Sequence, residues 1–160
     1  MVRTIVHALK YEGVKELAIF MSCAMSNWWK KNPAVNVLPL DRSTLIPIPL
    51  HAKKLRERGW NHAELIAHEL GLQLGVFVES GVLIRTKNTQ PQSSLSRQER
   101  LLNMNNAFLC PPAPSLEGKT IILIDDVSTT GATLNQAAGA LRMRGVTDIR
   151  GFVFARGDQV

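Results

Sequence analysis

The run Ile121-Ile122-Leu123-Ile124-Asp125-Asp126-Val127-Ser128-Thr129-Thr130-Gly131-Ala132-Thr133 holds the densest chemistry in the sequence. Four apolar residues read as a strand buried on both faces, and two carboxylates end it. Small hydroxylated residues and a glycine then lead into a helix. In open α/β sheets ligands gather outside the carboxyl ends of the strands, where Asp125 and Asp126 are expected. The following turn offers backbone N–H groups and hydroxyls at a positive helix N-terminus, which is a cradle for a phosphate. Carboxylates beside such a cradle repel a phosphate alone. They suit a ligand that also presents hydroxyls or Mg²⁺, such as a ribose phosphate. The plain alternative is an acidic strand end with a helix cap. The acidic strand of a P-loop ATPase also fits these residues, but no GxxxxGK[ST] occurs anywhere in the chain.

A second concentration of charge is His51-Ala52-Lys53-Lys54-Leu55-Arg56-Glu57-Arg58-Gly59-Trp60, read as a basic loop ending in glycine. It holds four cations within six positions, and its plain alternative is a solvated basic face. Trp60 amid Lys53, Lys54, Arg56 and Arg58 also makes a basic patch with one ring for base stacking.

The elements that must position these residues follow from periodicity. Val14, Leu17, Ala18, Met21, Met25 and Trp28 keep helical spacing, so residues 13–30 are expected as a helix stopped by Asn32-Pro33. Leu45 to Leu50 suits the end of a strand, because Pro47 and Pro49 remove ladder donors. Asn61 with Glu64 reads as a capping box opening a helix whose buried face is Leu65, Ile66 and Leu70, with its end at Gly71 or Gly75. Val82-Leu83-Ile84 reads as a strand, and the polar stretch Thr86 to Leu95 as a mobile loop. Ser96 with Glu99 opens a short helix through Leu102. Pro111, Pro112 and Pro114 mark a surface excursion before the strand Thr120–Ile124. Leu134, Ala137, Ala138 and Leu141 define a helix with Gly145 at its end, and Ile149 to Ala155 is the last strand. Strands alternating with helices argue for an α/β domain with a largely parallel sheet.

The 160 residues suit one compact domain, and 45% apolar with 20% charged residues excludes disordered and fibrous classes. Nineteen Lys and Arg against thirteen Asp and Glu give a net charge of +6, which favours anionic partners. No apolar stretch reaches bilayer-spanning length, so membrane insertion is not expected. Cys23 and Cys110 form no CxxC pair, so neither a four-thiolate zinc site nor a disulfide framework is expected. With no signal core at the N-terminus, the expected location is the cytoplasm.

The acidic run closely resembles the phosphoribosyl-pyrophosphate (PRPP) signature of type I phosphoribosyltransferases. Pro47-x-Pro49-Leu50 with Arg56-x-Arg58-Gly59-Trp60-Asn61 resembles the ComF/GntX family of competence proteins. So does Arg85-x-Lys87-x-Thr89-x-x-Gln92-x-x-Leu95-Ser96-x-x-Glu99-Arg100-x-x-Asn103, ending at Ala107-Phe108. Members usually carry Phe and Gln where this chain has Trp60 and His62, changes that keep a large ring and a polar side chain. The resemblance implies a type I phosphoribosyltransferase fold, a mostly parallel central sheet flanked by helices with a minimal or absent hood. It implies a domain over residues 44–160, with an N-terminal helical or linker segment over 1–43 packed on the core.

It also implies roles. Asp125 and Asp126 would hold the ribose hydroxyls and stabilise charge on the sugar, with one of them contacting a Mg²⁺ carried by PRPP. Ser128, Thr129, Thr130, Gly131, Ala132 and Thr133 would cradle the 5′-phosphate. His51, Lys53, Lys54, Arg56 and Arg58 would meet pyrophosphate, and Lys87, Thr89 and Gln92 would reach it from a closing loop that excludes water. For Arg100 and Asn103 the expectation is anchoring of the short helix.

Family members usually begin with a four-cysteine zinc module, and this chain has none, so no zinc is expected here. Trp28 and Trp29, adjacent in a helix, cannot share one narrow face. Either one is exposed to a missing module or another subunit, or the buried face is broad. The last residues, Arg156 to Val160, supply no legible acceptor-reading element.

Three functions remain open on the sequence: a phosphoribosyltransferase, a PRPP-sensing protein, and a non-catalytic accessory of natural transformation. The last would handle single-stranded DNA, with Trp60 and Arg58 touching the strand, beside a competence helicase or recombination mediator. A homodimer is also implied by the resemblance.

Overall fold

The structure is a computed structural model that describes residues 2–9, 14, 16–87 and 107–157. Helix α1 spans Val2–His7 and α2 spans Glu16–Lys31. A short turn of helix, α3, covers Pro33–Asn36, with the Asn32 side chain capping Ala34 N–H at 3.1 Å. Asn32-Pro33 therefore ends α2, as its sequence predicts, and also begins the next element. Strand β1 (Ser43–Pro47) follows, then α4 (Ala52–Arg58), α5 (His62–Leu74) and β2 (Phe77–Val78). After β3 (Ile84–Arg85) and β4 (Phe108–Leu109) come β5 (Thr120–Ser128), α6 (Ala132–Arg142) and β6 (Ile149–Arg156).

The main sheet has the order β2-β1-β5-β6, and every neighbouring pair is parallel. Helices cover both faces. Alternation along β5 sends Ile121 and Leu123 into a core with Ile46, Ala137 and Leu141, while Ile122 and Ile124 enter a second core with Met21, Met25, Trp29, Ile66 and Leu70. This is why residues 121–124 are apolar without a break. The N-terminal segment belongs to that second core through Ile5 of α1, Leu9 just beyond it, and Ala18 and Met21 of α2. Trp29 is 3% exposed and Trp28 is 50% exposed, so one ring of the pair is buried and the other is not, and the face is not fully buried.

Four local expectations change. Residues 52–58 form a helix rather than a loop, because His51 caps it through Nδ1 accepting from Lys53 N–H at 3.2 Å. Strand β5 runs on through both carboxylates to Ser128, since β6 keeps pairing with it to Ser128 opposite Arg156. The strand expected at Val82–Ile84 lies at Ile84–Arg85, paired antiparallel with Phe108–Leu109. Asn61 is the N-cap residue of α5, but its side chain makes no cap bond there. Its Nδ2 instead donates to Ile48 O at 3.0 Å, satisfying a buried carbonyl where the proline-bounded end of β1 leaves the ladder. The helix expected at Ser96–Leu102, with Arg100 and Asn103, lies outside the described residues.

Candidate functional site

The two halves of the sheet diverge between β1 and β5. From β1 the chain crosses through α4 and α5 to β2 on one side, and from β5 it crosses through α6 to β6 on the other. Such a reversal opens a crevice at the carboxyl ends of the two central strands. β1 stops pairing at Pro47 opposite Ile124, with Ile48 N–H donating to Ile124 O at 2.9 Å as the last tie. Beyond it, among the described residues, β5 pairs only with β6, and Asp125 and Asp126 begin past the last pairing with β1.

The two carboxylates are not equivalent. Strand alternation turns Asp125 toward the α6 side and Asp126 toward the α2 and α5 side. Asp125 is half-buried, and its Oδ1 accepts Asp126 N–H at 2.9 Å. Asp126 is 5% exposed, and its Oδ1 accepts Val127 N–H at 2.7 Å. Arg85, half-buried on β3, faces the first of them. Burial pushes its guanidinium below the ordinary value, and the charge of Asp125 pulls it back up. The Arg85 guanidinium also lies 5.5 Å from the centre of the Phe108 ring. Within its sequence motif Arg85 carries no assigned role. Nothing local in the sequence says that β3 folds back toward β5.

After Ser128 the backbone turns through Thr129 and Thr130 into α6. Gly131 is the N-cap at φ 76°, a left-handed conformation that favours glycine. The first-turn N–H groups of α6 therefore open toward the same rim as the carboxylates. Thr130 Oγ1 accepts Ala132 N–H at 3.4 Å, and Thr129 and Thr130 are exposed while Ser128, Ala132 and Thr133 are half-buried. Gly157, just past β6, is pressed against this turn. A Cβ there would lie 2.7 Å from Thr129 Cα, so the backbone of residue 157 buttresses the turn.

Helix α4 follows the carboxyl end of β1. Its turn spacing separates the cations: Lys53 and Arg56 are exposed, while Lys54 and Arg58 are half-buried. Trp60 is half-buried, with its ring centre 6.4 Å from that of the buried His62. Lys87 is exposed at the end of the described segment, and Thr89 and Gln92 lie outside the described residues. Arg156, to which the sequence gives no role, is exposed and paired in register with Ser128 beside the turn into α6.

A parallel sheet with a switch point, an acidic strand end and a glycine-capped turn into a helix defines an open α/β protein with a crevice at the carboxyl ends of its central strands. The sequence profile of the phosphoribosyl transferase domain matches residues 55–159, and the chain belongs to that family. Within it the ComF resemblance holds. The chain is 35% identical over 113 residues to Competence protein F of Haemophilus influenzae, covering 70% of this chain and 49% of that protein. It is 34% identical over 145 residues to Competence protein ComFC of Bacillus subtilis, covering 91% and 55%. To DNA utilization protein YhgH of Salmonella typhi it is 28% identical over 153 residues, covering 95% and 66%. The chain thus spans about half to two thirds of the length of these relatives. No helix among the described residues is long and apolar enough to cross a membrane.

Proposed function

We propose that the chain binds PRPP with Mg²⁺ in the crevice between β1 and β5, and transfers or senses its phosphoribosyl group in the service of DNA uptake. One observation carries this reading: Asp125, Asp126 and the Ser128–Thr133 turn meet at the switch point of the sheet. In this reading the turn takes the 5′-phosphate through backbone N–H groups and hydroxyls. Asp125, the more accessible carboxylate, takes the ribose hydroxyls, and Asp126 fixes the strand end behind it. The cations of α4, together with Lys87, meet pyrophosphate.

Among the described residues no three His, Cys, Asp or Glu side chains converge on a metal position. A donor set of one or two carboxylates fits Mg²⁺, which is ordinarily held by few protein ligands plus phosphate oxygens. Bound there, Mg²⁺ would neutralise the leaving pyrophosphate. The chain's own contribution is positioning and fixed electrostatics, with an acceptor nitrogen forming its bond to the anomeric carbon as pyrophosphate departs with the bonding pair. Titration calorimetry with Mg·PRPP tests the site: Asp125→Asn with Asp126→Asn should abolish binding, and unchanged affinity overturns the assignment. Pyrophosphate release in a screen of nucleobases and amines separates an enzyme from a sensor.

A second reading is a protein that handles single-stranded DNA. It is favoured by the exposed Lys53 and Arg56 on the outer side of α4 and by the names of the relatives, which refer to competence and DNA utilization.

A further inference from the structure

Strand β6 is a border of the main sheet, and among the described residues it pairs only with β5. Phe152 and Phe154 join the core beneath α2, whereas Ile149 joins the opposite core. Alternation therefore sets Arg150, Phe152, Phe154 and Arg156 in one row on the α2 face. Both arginines are exposed. Arg150 is held by Asp148 at 3.2 Å, and Arg156 has no ion-pair partner among the described residues.

Above this row stands α2. Helix α5 lies over β1 and β5, and α2 packs beside α5 on the β6 side, so α2 reaches the outer border of the sheet. Trp29 covers Phe152 from within at 5.4 Å, edge to face, while the half-exposed Trp28 meets the same ring at 5.6 Å. Ile19 and Phe20 are exposed farther along α2, and Lys30 and Lys31 are exposed at its end. The border beside β6 is thus apolar in the middle and cationic at both ends.

Sheets usually protect such an edge with proline, a lysine, a bulge or a covering element. Neither proline nor lysine occurs in Ile149–Arg156. A second copy of this chain would bring its own overhanging α2 to the same border, so the space suits a lone strand. We propose that the β6 edge takes an extended peptide segment of another protein as an added strand. Its carboxylates, spaced to meet Arg150 and Arg156, would flank aliphatic side chains that pack on Phe152, Phe154 and Trp28. Backbone bonds would supply the affinity, and the charge pattern the selectivity.

The test uses the full chain and three labelled seven-residue peptides, followed by fluorescence polarisation and by the emission of the tryptophans. The first is Glu-Thr-Val-Thr-Val-Thr-Glu, the second carries Lys at both ends, and the third is the first with alternate amides N-methylated. The acidic peptide should bind at least ~10-fold more tightly than either of the others, as a paired strand with matched charges requires. Arg150→Glu should abolish the preference between acidic and basic ends, Arg150→Glu with Arg156→Glu should reverse it, and Trp28→Ala should weaken both peptides. Equal binding of the N-methylated peptide, or no binding of any peptide, overturns the proposal. Binding of oligothymidylate that is lost in Trp28→Ala, with no peptide bound, also overturns it and makes the strip a nucleic-acid face.

Discussion

Asn61 shows how one side chain can serve a site without touching a ligand. Its amide donates to the buried Ile48 carbonyl, tying the start of α5 to the point where β1 leaves the sheet. Asn61→Ala strands that carbonyl, at a cost of about 1–2 kcal/mol. Urea unfolding should show the loss, and PRPP binding should weaken with it because α4 is carried by the same turn. Cys110 gives a prediction in pH. Burial pushes its thiol above the ordinary value of 9.0, and Arg144 opposes this in part. The unfolded chain therefore releases that proton first, and the folded state binds more protons in the interval between the two values. Stability should be complete below about pH 9 and fall as pH climbs toward and through the raised value, and Cys110→Ala should remove that portion of the slope. In the native protein a maleimide should label the exposed Cys23 and spare Cys110 until unfolding.

At the scale of elements, the sequence was most informative where one local pattern had one physical solution. The run Ile121 to Ile124 is apolar because both faces of β5 are covered, and α6 follows from Leu134, Ala137, Ala138 and Leu141. Residues 52–58 were harder to read. Their charges resemble a loop, and the helix rests on a histidine cap and on Gly59, which lie outside the apolar periodicity that normally reveals a helix. Missing that helix also hid the inequality among its cations. Helical spacing puts Lys54 and Arg58 on the half-buried side and Lys53 and Arg56 on the outside. The position of Arg85 beside Asp125 was illegible for a different reason: it depends on a hairpin between segments more than 20 residues apart, Ile84–Arg85 and Phe108–Leu109. The helix geometry predicts an asymmetric mutational pattern. Lys54→Ala and Arg58→Ala should each weaken pyrophosphate binding by about 1–3 kcal/mol, as for a charge-assisted contact, while Lys53→Ala and Arg56→Ala stay within ~0.5 kcal/mol. Calorimetry with inorganic pyrophosphate and Mg²⁺ would measure all four, and equal losses would return α4 to a generic basic surface.

The whole molecule carries a net charge of +6, and two groups of its cations lie where an extended anion could follow them. One is α4 beside the crevice, and the other combines Lys30 and Lys31 with Arg150 and Arg156 around α2 and β6. A compact ligand such as PRPP can engage only the first, whereas a single strand of DNA is long enough to follow either. Contacts with phosphates release counterions, so affinity for a strand should fall with salt at a slope of about −0.7 per phosphate neutralised. If the α4 cations alone hold the strand, the slope should correspond to roughly three or four phosphates, and Mg·PRPP should displace oligothymidylate. In that case the two proposed functions are exclusive states of one site, and PRPP would act as a release signal for DNA. If instead the strand follows the second region, Mg·PRPP leaves the affinity unchanged, and Lys30→Glu with Lys31→Glu abolishes it. Measuring oligothymidylate polarisation across a salt series, with and without Mg·PRPP, separates these outcomes. Negligible binding at low salt would remove direct DNA contact altogether. Displacement requires a strand at the crevice to engage the half-buried Lys54 and Arg58 that pyrophosphate would occupy, whereas a strand held by the exposed Lys53 and Arg56 alone would bind beside Mg·PRPP and leave its affinity unchanged.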